Sequence, residues 1–185
     1  EEWREYTKTV WSIANVSHEL HPATFPTEIP KRLTKLFSFW GETVLDPFGG
    51  VGTTAVAAIR EGRRAICIDQ NPRFVKEMQA RVEREQLDPG AFEARQGDSR
   101  DLSKISDGSI DLIVTSPPYW DKADYGGRNT DIGTAGSYVV FLEELRRVFQ
   151  ECFRVLRPGR KLCVVTANVN QMTDHGLLTF PLSTD

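Results

Sequence analysis

LDPFGGVGTTA, residues 45–55, closes the apolar run TVLDPF (43–48) in a glycine-rich turn and continues into small, helix-compatible residues. A strand that ends in such a turn and leads into a helix is the opening of a βαβ unit, so the stretch asks for a parallel sheet. The chain on either side agrees. Further β-branched or apolar runs at 64–69 (RAICID), 91–98 (AFEARQGD), 110–116 (IDLIVTS) and 161–169 (KLCVVTANV) bring the expected strands to five. Several are apolar at consecutive positions, the pattern of strands covered on both faces.

Helical periods separate these runs. One spans Thr53 to Glu61 and stops at Gly62. Another opens at Asn71-Pro72, a capping residue followed by proline at the first helical position, with Phe74, Met78 and Val82 four residues apart. The longest runs from Ser137 to Leu156, carries Tyr138, Phe141, Leu142, Leu145, Val148, Phe149, Cys152 and Phe153 on one broad face, and is expected to end at Arg157-Pro158-Gly159. The fold class expected is α/β: a doubly wound, mainly parallel, Rossmann-like sheet with right-handed crossovers. Ligands of such sheets bind beyond the carboxyl ends of the strands, where the strand order switches.

Composition sets outer bounds. With 185 residues, 39 % hydrophobic and 26 % charged, the chain reads as one globular domain that needs no disulfide or metal to hold its core. No apolar run approaches a membrane span and EEWREYTK is not a signal peptide, so a cytoplasmic protein with no membrane partner is expected. Cys67, Cys152 and Cys163 are scattered without CxxC pairing, as reduced buried thiols are. His18 and His21 frame HELH, which is too short for a zinc-binding HExxH helix and has no third ligand, so no metal is expected. The net charge of −3 and pI of about 5.7 weigh against a dedicated nucleic-acid surface on these residues.

The turn itself satisfies GxGxxG/A through Gly50, Gly52 and Ala55, with Asp69 at the end of the second strand. A nicotinamide-binding domain would look similar. Three carboxylates at successive strand ends favour S-adenosylmethionine over a dinucleotide. Asp46 would repel a pyrophosphate but can pair with an amino-acid ammonium, Asp69 can accept from both ribose hydroxyls, and Asp98 can accept from the adenine amino group.

At this point the motifs resemble a known family. DPFGGVGTT (46–54) is similar to the cofactor loop of the DNA amino-methyltransferases, which methylate N4 of cytosine or N6 of adenine. HPATFP (21–26) resembles their second cofactor motif, and TSPPYW (115–120) their catalytic motif; together the resemblance spans roughly residues 7–170. It departs from the family pattern at Gly49 and Val51, where Ala and Ser are commoner, and at Phe25, where some members carry Lys. The resemblance implies a cofactor site of His21, Pro22, Thr24, Phe25 and Pro26, of Asp46, Pro47, Phe48, Gly49, Gly50, Gly52, Thr53 and Thr54, and of Asp69, Gln70, Asp98 and Ser99. It also implies double-stranded DNA with a flipped target base as the partner, a homo-oligomer or restriction-modification partner as further company, and a sheet of seven strands plus a target-recognition region.

The catalytic expectation follows from the chemistry of an exocyclic amino group, whose lone pair is delocalised into the base. Acceptors placed off the base plane favour the more tetrahedral nitrogen that attacks a methyl group. Ser116 can offer its side-chain oxygen and Pro117 its carbonyl, while Pro117-Pro118 removes competing N–H donors and fixes the backbone. Tyr119 can stack on a base taken out of the duplex, and Trp120 can either assist or pack against the sheet. No cysteine lies in the loop after the fourth strand, which excludes C5-cytosine chemistry. The loop 121–136 reads as a mobile flap near the target base, with Lys122 and Arg128 as phosphate contacts, or else as a disordered loop.

Serine in SPPY resembles the N4-cytosine enzymes more than the N6-adenine ones. An RNA base, a protein amide, a catalytically silent cofactor-binding subunit and a nicotinamide dehydrogenase stand as the alternatives. Residues 1–185 are expected to form the catalytic domain, incomplete at its C-terminal end. Sequence-reading residues are expected after Asp185 or on another chain, and the strand at 161–169 is expected to leave an open sheet edge.

Overall fold

The computed structural model describes residues 1–14, 25–120, 131–166, 169–173 and 176–180, the last two segments as backbone only. Five strands, β1 (Thr43–Asp46), β2 (Arg64–Asp69), β3 (Phe92–Gln96), β4 (Ile110–Thr115) and β5 (Leu156–Val164), pair in parallel in the order β3-β2-β1-β4-β5. The chain winds outward from β1 to β3, then returns to β4 on the other side. The switch in direction therefore falls between β1 and β4, which puts the glycine turn and SPPY side by side.

Among the described residues, five α-helices accompany the strands: α1 (Glu2–Tyr6), α2 (Glu28–Phe37), α3 (Thr53–Arg60), α4 (Pro72–Arg84) and α5 (Tyr138–Val155). Successive side chains of a strand face opposite ways, and both faces of this sheet are covered. Val44, Cys67, Leu112 and Val114 pack with Ala55 and Ala58 of α3 and Met78 and Val82 of α4. Their neighbours Leu45, Ile68 and Ile113 pack with Phe141, Leu145, Val148 and Cys152 of α5. β4 is buried at every position, which accounts for its unbroken apolar sequence. Among the described residues no helix is long and apolar enough to cross a membrane.

Local signals behave as their chemistry dictates. The Asn71 side chain accepts from Arg73 N at 3.0 Å, with Pro72 in the first turn of α4. Ser137 accepts from Val140 N at the start of α5.

The last strand differs from expectation. Helix α5 ends at Val155 and passes directly into β5, so Arg157-Pro158-Gly159 lies inside a strand rather than between a helix and a strand. Ile110 pairs with Leu156, but Leu112 pairs with Lys161, so the segment between them bulges out of the ladder. Pro158 has no N–H to give a ladder and Gly159 sits at φ 82°; both are tolerated because β5 borders the five-stranded sheet. The strand then stops at Val164, short of the expected 169. A separate antiparallel pair, β6 (Val169–Thr173) and β7 (Gly176–Phe180), follows, and the sequence reading did not anticipate it.

Candidate cofactor and catalytic site

From the end of β1 the chain turns through Pro47–Gly52 into α3. Gly49 N donates to Ile68 O at 2.8 Å, and Gly52 N donates back to Gly49 O at 2.8 Å. Gly52 precedes α3 in the left-handed region, φ 78°. Gly49 is demanded by space instead. A Cβ there would stand 2.9 Å from Cys67 Cβ and 3.0 Å from Met78 Sδ. The alanine commoner in the family does not fit between these two side chains.

Asp46 lies under the turn, 1 % exposed. Its Oδ1 accepts from Phe48 N at 3.0 Å and Thr115 Oγ1 at 2.7 Å, and its Oδ2 from Thr54 Oγ1 at 2.7 Å. One carboxylate thus ties β1, the turn, α3 and β4 together. Burial pushes its pKa up to about 6 despite these three donors. Asp69, at the end of β2, accepts from Gly50 N at 2.9 Å and Asn71 N at 2.8 Å. Its pKa is raised by burial, against the pull of those two N–H groups.

A cavity of about 330 Å³ opens beyond the strand ends, within the range of small-molecule sites. Pro47 and Phe48 line it from the turn, Asp69 and Gln70 from β2, Gly97 and Ser99 from β3, and Ser116 and Pro118 from β4. Residues of the cofactor and catalytic motifs therefore meet in one space. The start of α4 (Asn71, Pro72, Arg73, Phe74) and the pair Asp131 and Ile132 complete the wall. Sequence reading missed these six, and Gly97, as site residues. The Asn71-Pro72 cap signalled the helix start, and a helix start after β2 faces the ligand end of the sheet.

Other expected residues act from behind the wall. Gly49, Gly50 and Gly52 shape the turn, Thr54 serves Asp46, and Thr53 accepts from Arg81 Nη1 at 3.3 Å. Ser99, besides lining the cavity, donates to Pro47 O at 2.5 Å and so joins the β3 end to the turn. Pro117 is buried and Tyr119 half-buried beside it, its hydroxyl pKa raised by that burial. Trp120 donates to Ala135 O at 2.9 Å and packs at 5.4 Å from the Tyr138 ring, so it braces the SPPY turn against α5.

Asp98 is not part of the wall. Arg100 Nε donates to its two oxygens at 2.9 and 3.0 Å, and the same guanidinium reaches Glu144 on α5. Partial burial would raise the Asp98 pKa, but the Arg100 contacts outweigh it and hold the carboxyl below the usual range. Phe25 and Pro26 precede α2 and are not among the cavity's lining residues; Pro26 O accepts from Ile29 N at 3.0 Å. His21, Pro22, Thr24, Lys122 and Arg128 lie outside the described residues.

The residues present fit S-adenosylmethionine. Asp69 offers a buried carboxylate to the cavity, Phe48 and Phe74 offer apolar surface, and the close-packed turn lets the backbone approach a ligand.

Comparison with known proteins agrees. A family model described as DNA methylase matches residues 1–80 and 110–178, and one described as methyltransferase domain matches 45–117. The type II methyltransferase M.BglI of Bacillus subtilis is 42 % identical over 85 residues, 45 % of this chain and 24 % of that protein. The type II methyltransferase M.MjaI of Methanocaldococcus jannaschii is 44 % identical over 72 residues, 36 % of this chain and 23 % of that one. The matched stretches thus span about a quarter of these relatives' length. Among solved structures, precorrin 8w decarboxylase from Methanobacterium thermoautotrophicum is similar at a TM-score of 0.57 and 17 % identity, covering 89 % of this chain and 90 % of that one. At that identity the likeness speaks for the fold alone. The chain belongs to the N6/N4 DNA methylase family, and S-adenosyl-L-methionine is the cofactor of its α/β methyltransferase domain.

Proposed function

We propose that this domain methylates an exocyclic amino group of a base flipped out of double-stranded DNA, with N4 of cytosine as the favoured target. The observation that carries the reading is the shared cavity: Ser116 and Pro118 line the same space as Asp69, Phe48 and Gly97. S-adenosylmethionine, when bound, supplies an electrophilic methyl group. The chain's own task is to hold the amino nitrogen in line with it and to exclude water.

Ser116 Oγ and the Pro117 carbonyl are the acceptors that would draw the two amino hydrogens off the base plane, leaving the lone pair aimed into the cavity. As nitrogen forms its new bond, one hydrogen leaves as a proton through these acceptors to solvent. The turn that carries them is stiff: Pro117 is buried, Thr115 is hydrogen-bonded to Asp46, and Trp120 is anchored on Ala135. Preorganised acceptors of this sort cost no rearrangement when charge develops. Tyr119 is the stacking face for the flipped base, whose extrusion costs a few kcal/mol. Serine at position 116 is what favours cytosine N4 over adenine N6.

Ser116→Ala is expected to lower turnover roughly 10²–10³-fold, as loss of one preorganised hydrogen-bonding group does elsewhere, while leaving S-adenosylmethionine affinity unchanged. Single-turnover transfer of labelled methyl to duplex DNA, paired with calorimetry, measures both. Wild-type turnover in this variant would remove the hydroxyl from the mechanism.

A further inference from the structure

The cavity holds a second carboxylate that the motifs did not supply. Asp131 lines it together with Asp69, Gln70, Asn71, Phe74 and Gly97. Two features fix its position. Its Oδ1 accepts from Gly133 N at 2.9 Å, and the next residue, Ile132, is 3 % exposed in the same core cluster as Phe141 and Leu145. The carboxylate therefore stands on anchored backbone, near enough to Asp69 to make that group harder to ionise. Meanwhile Asp98, the acid that strand-end logic directs at adenine, is turned onto Arg100 and Glu144.

A wall that holds two carboxylates, Asp69 and Asp131, suits a ligand that brings hydrogen-bond donors. Adenosine brings a ribose diol and an exocyclic amino group. Asp69 already spends one acceptor position of each oxygen on backbone N–H groups, so a second acceptor matches the donors it leaves over. We propose that Asp131 accepts a hydrogen bond from the adenosine half of S-adenosylmethionine, filling the acidic position that Asp98 yields to Arg100. The inference rests on the cofactor assignment and adds a residue from beyond β4 to it.

Calorimetry on the full chain tests it, with wild type, Asp131→Asn and Asp98→Asn each titrated with S-adenosylmethionine and with 5′-methylthioadenosine. The second ligand keeps the adenosine and lacks both the amino acid and the positive charge. Asparagine can still accept from Gly133 N, so the turn is preserved, and an unchanged melting temperature verifies this. Asp131→Ser retains a capping oxygen and serves as the second variant. Asp131→Asn should weaken both ligands by about 10-fold or more, as loss of a hydrogen bond to a charged acceptor does, and Asp98→Asn should weaken them less. Wild-type affinity for both ligands in Asp131→Asn overturns the inference. So does a loss confined to S-adenosylmethionine, which would assign Asp131 to the cationic methionine end. Failure of the wild-type chain to bind either ligand is a different result, and overturns the cofactor reading itself.

Discussion

Replacing Asp46 by Asn removes a charge that the fold buries and leaves the local shape in place. The amide oxygen continues to accept from Phe48 N and Thr115 Oγ1. The amide nitrogen, standing where Oδ2 stood, donates to Thr54 Oγ1, whose own proton turns to Val114 O, 3.4 Å away. What changes is the coupling of stability to pH. An unstructured aspartate ionises near 3.8, whereas Asp46 in the fold ionises at about 6. Between those values the unfolded chain has released the proton that the folded chain keeps, so raising the pH favours unfolding. This contribution to stability is fully present below about 3.8 and is lost as pH rises through about 6. At about 1.4 kcal/mol for each pH unit of that gap, the loss amounts to roughly 3 kcal/mol. Urea denaturation of both proteins from about pH 4 to 8 measures it, because subtracting one curve from the other cancels the titration of groups not coupled to Asp46. The wild-type minus Asp46→Asn stability should fall by roughly 2 kcal/mol between pH 4 and 7, the rest of the loss lying below pH 4, and level off above. A difference that stays flat, or rises with pH, refutes the reasoning.

Gly49→Ala forces a methyl group against Cys67 Cβ and Met78 Sδ. It should destabilise the fold by about 1–3 kcal/mol, seen as a fall of several degrees in Tm; an unshifted Tm would mean that the two side chains yield. Asp46 is closed off from the cavity by its three donors, so cofactor binding at pH 6 should leave its protonation unchanged, against the expectation that it meets the cofactor ammonium. Calorimetry in two buffers of different ionisation enthalpy reads any proton released, and release of about half a proton would place the ammonium on Asp46 after all.

Much of this molecule could be read before it was seen. The four strands nearest the site are legible because a strand buried on both faces must be apolar at successive positions, as β4 is throughout. Helix α4 announces itself through Asn71-Pro72, where cap and proline chemistry are local. β5 was misplaced because Arg157-Pro158-Gly159 breaks either a helix or a ladder, and only the register with β4 shows that an edge strand absorbs it as a bulge. At the cavity, Asp69, Phe48, Ser116 and Pro118 were legible because each lies at a strand end or within three residues past one, inside the motifs that carry the family resemblance. Asp131 was not, since nothing in the spacing says that an approach to α5 folds back over the cavity, and Phe74 was read only as a core position of α4 although the Asn71-Pro72 cap puts that helix start at the ligand end. The fate of Asp98 was hidden for a related reason. Arg100 is close in sequence, but Glu144 is distant, and together they decide where the carboxylate points.

Transfer of a tritiated methyl group from S-adenosylmethionine to unmodified duplex DNA of mixed sequence, followed by digestion and separation of the nucleosides, tests the central claim most directly. Label is predicted in an amino-methylated base, chiefly N4-methylcytosine, and in Ser116→Ala it should drop while cofactor binding persists. Label in 5-methylcytosine, or transfer to RNA or protein with none to DNA, would contradict the reading of this cavity.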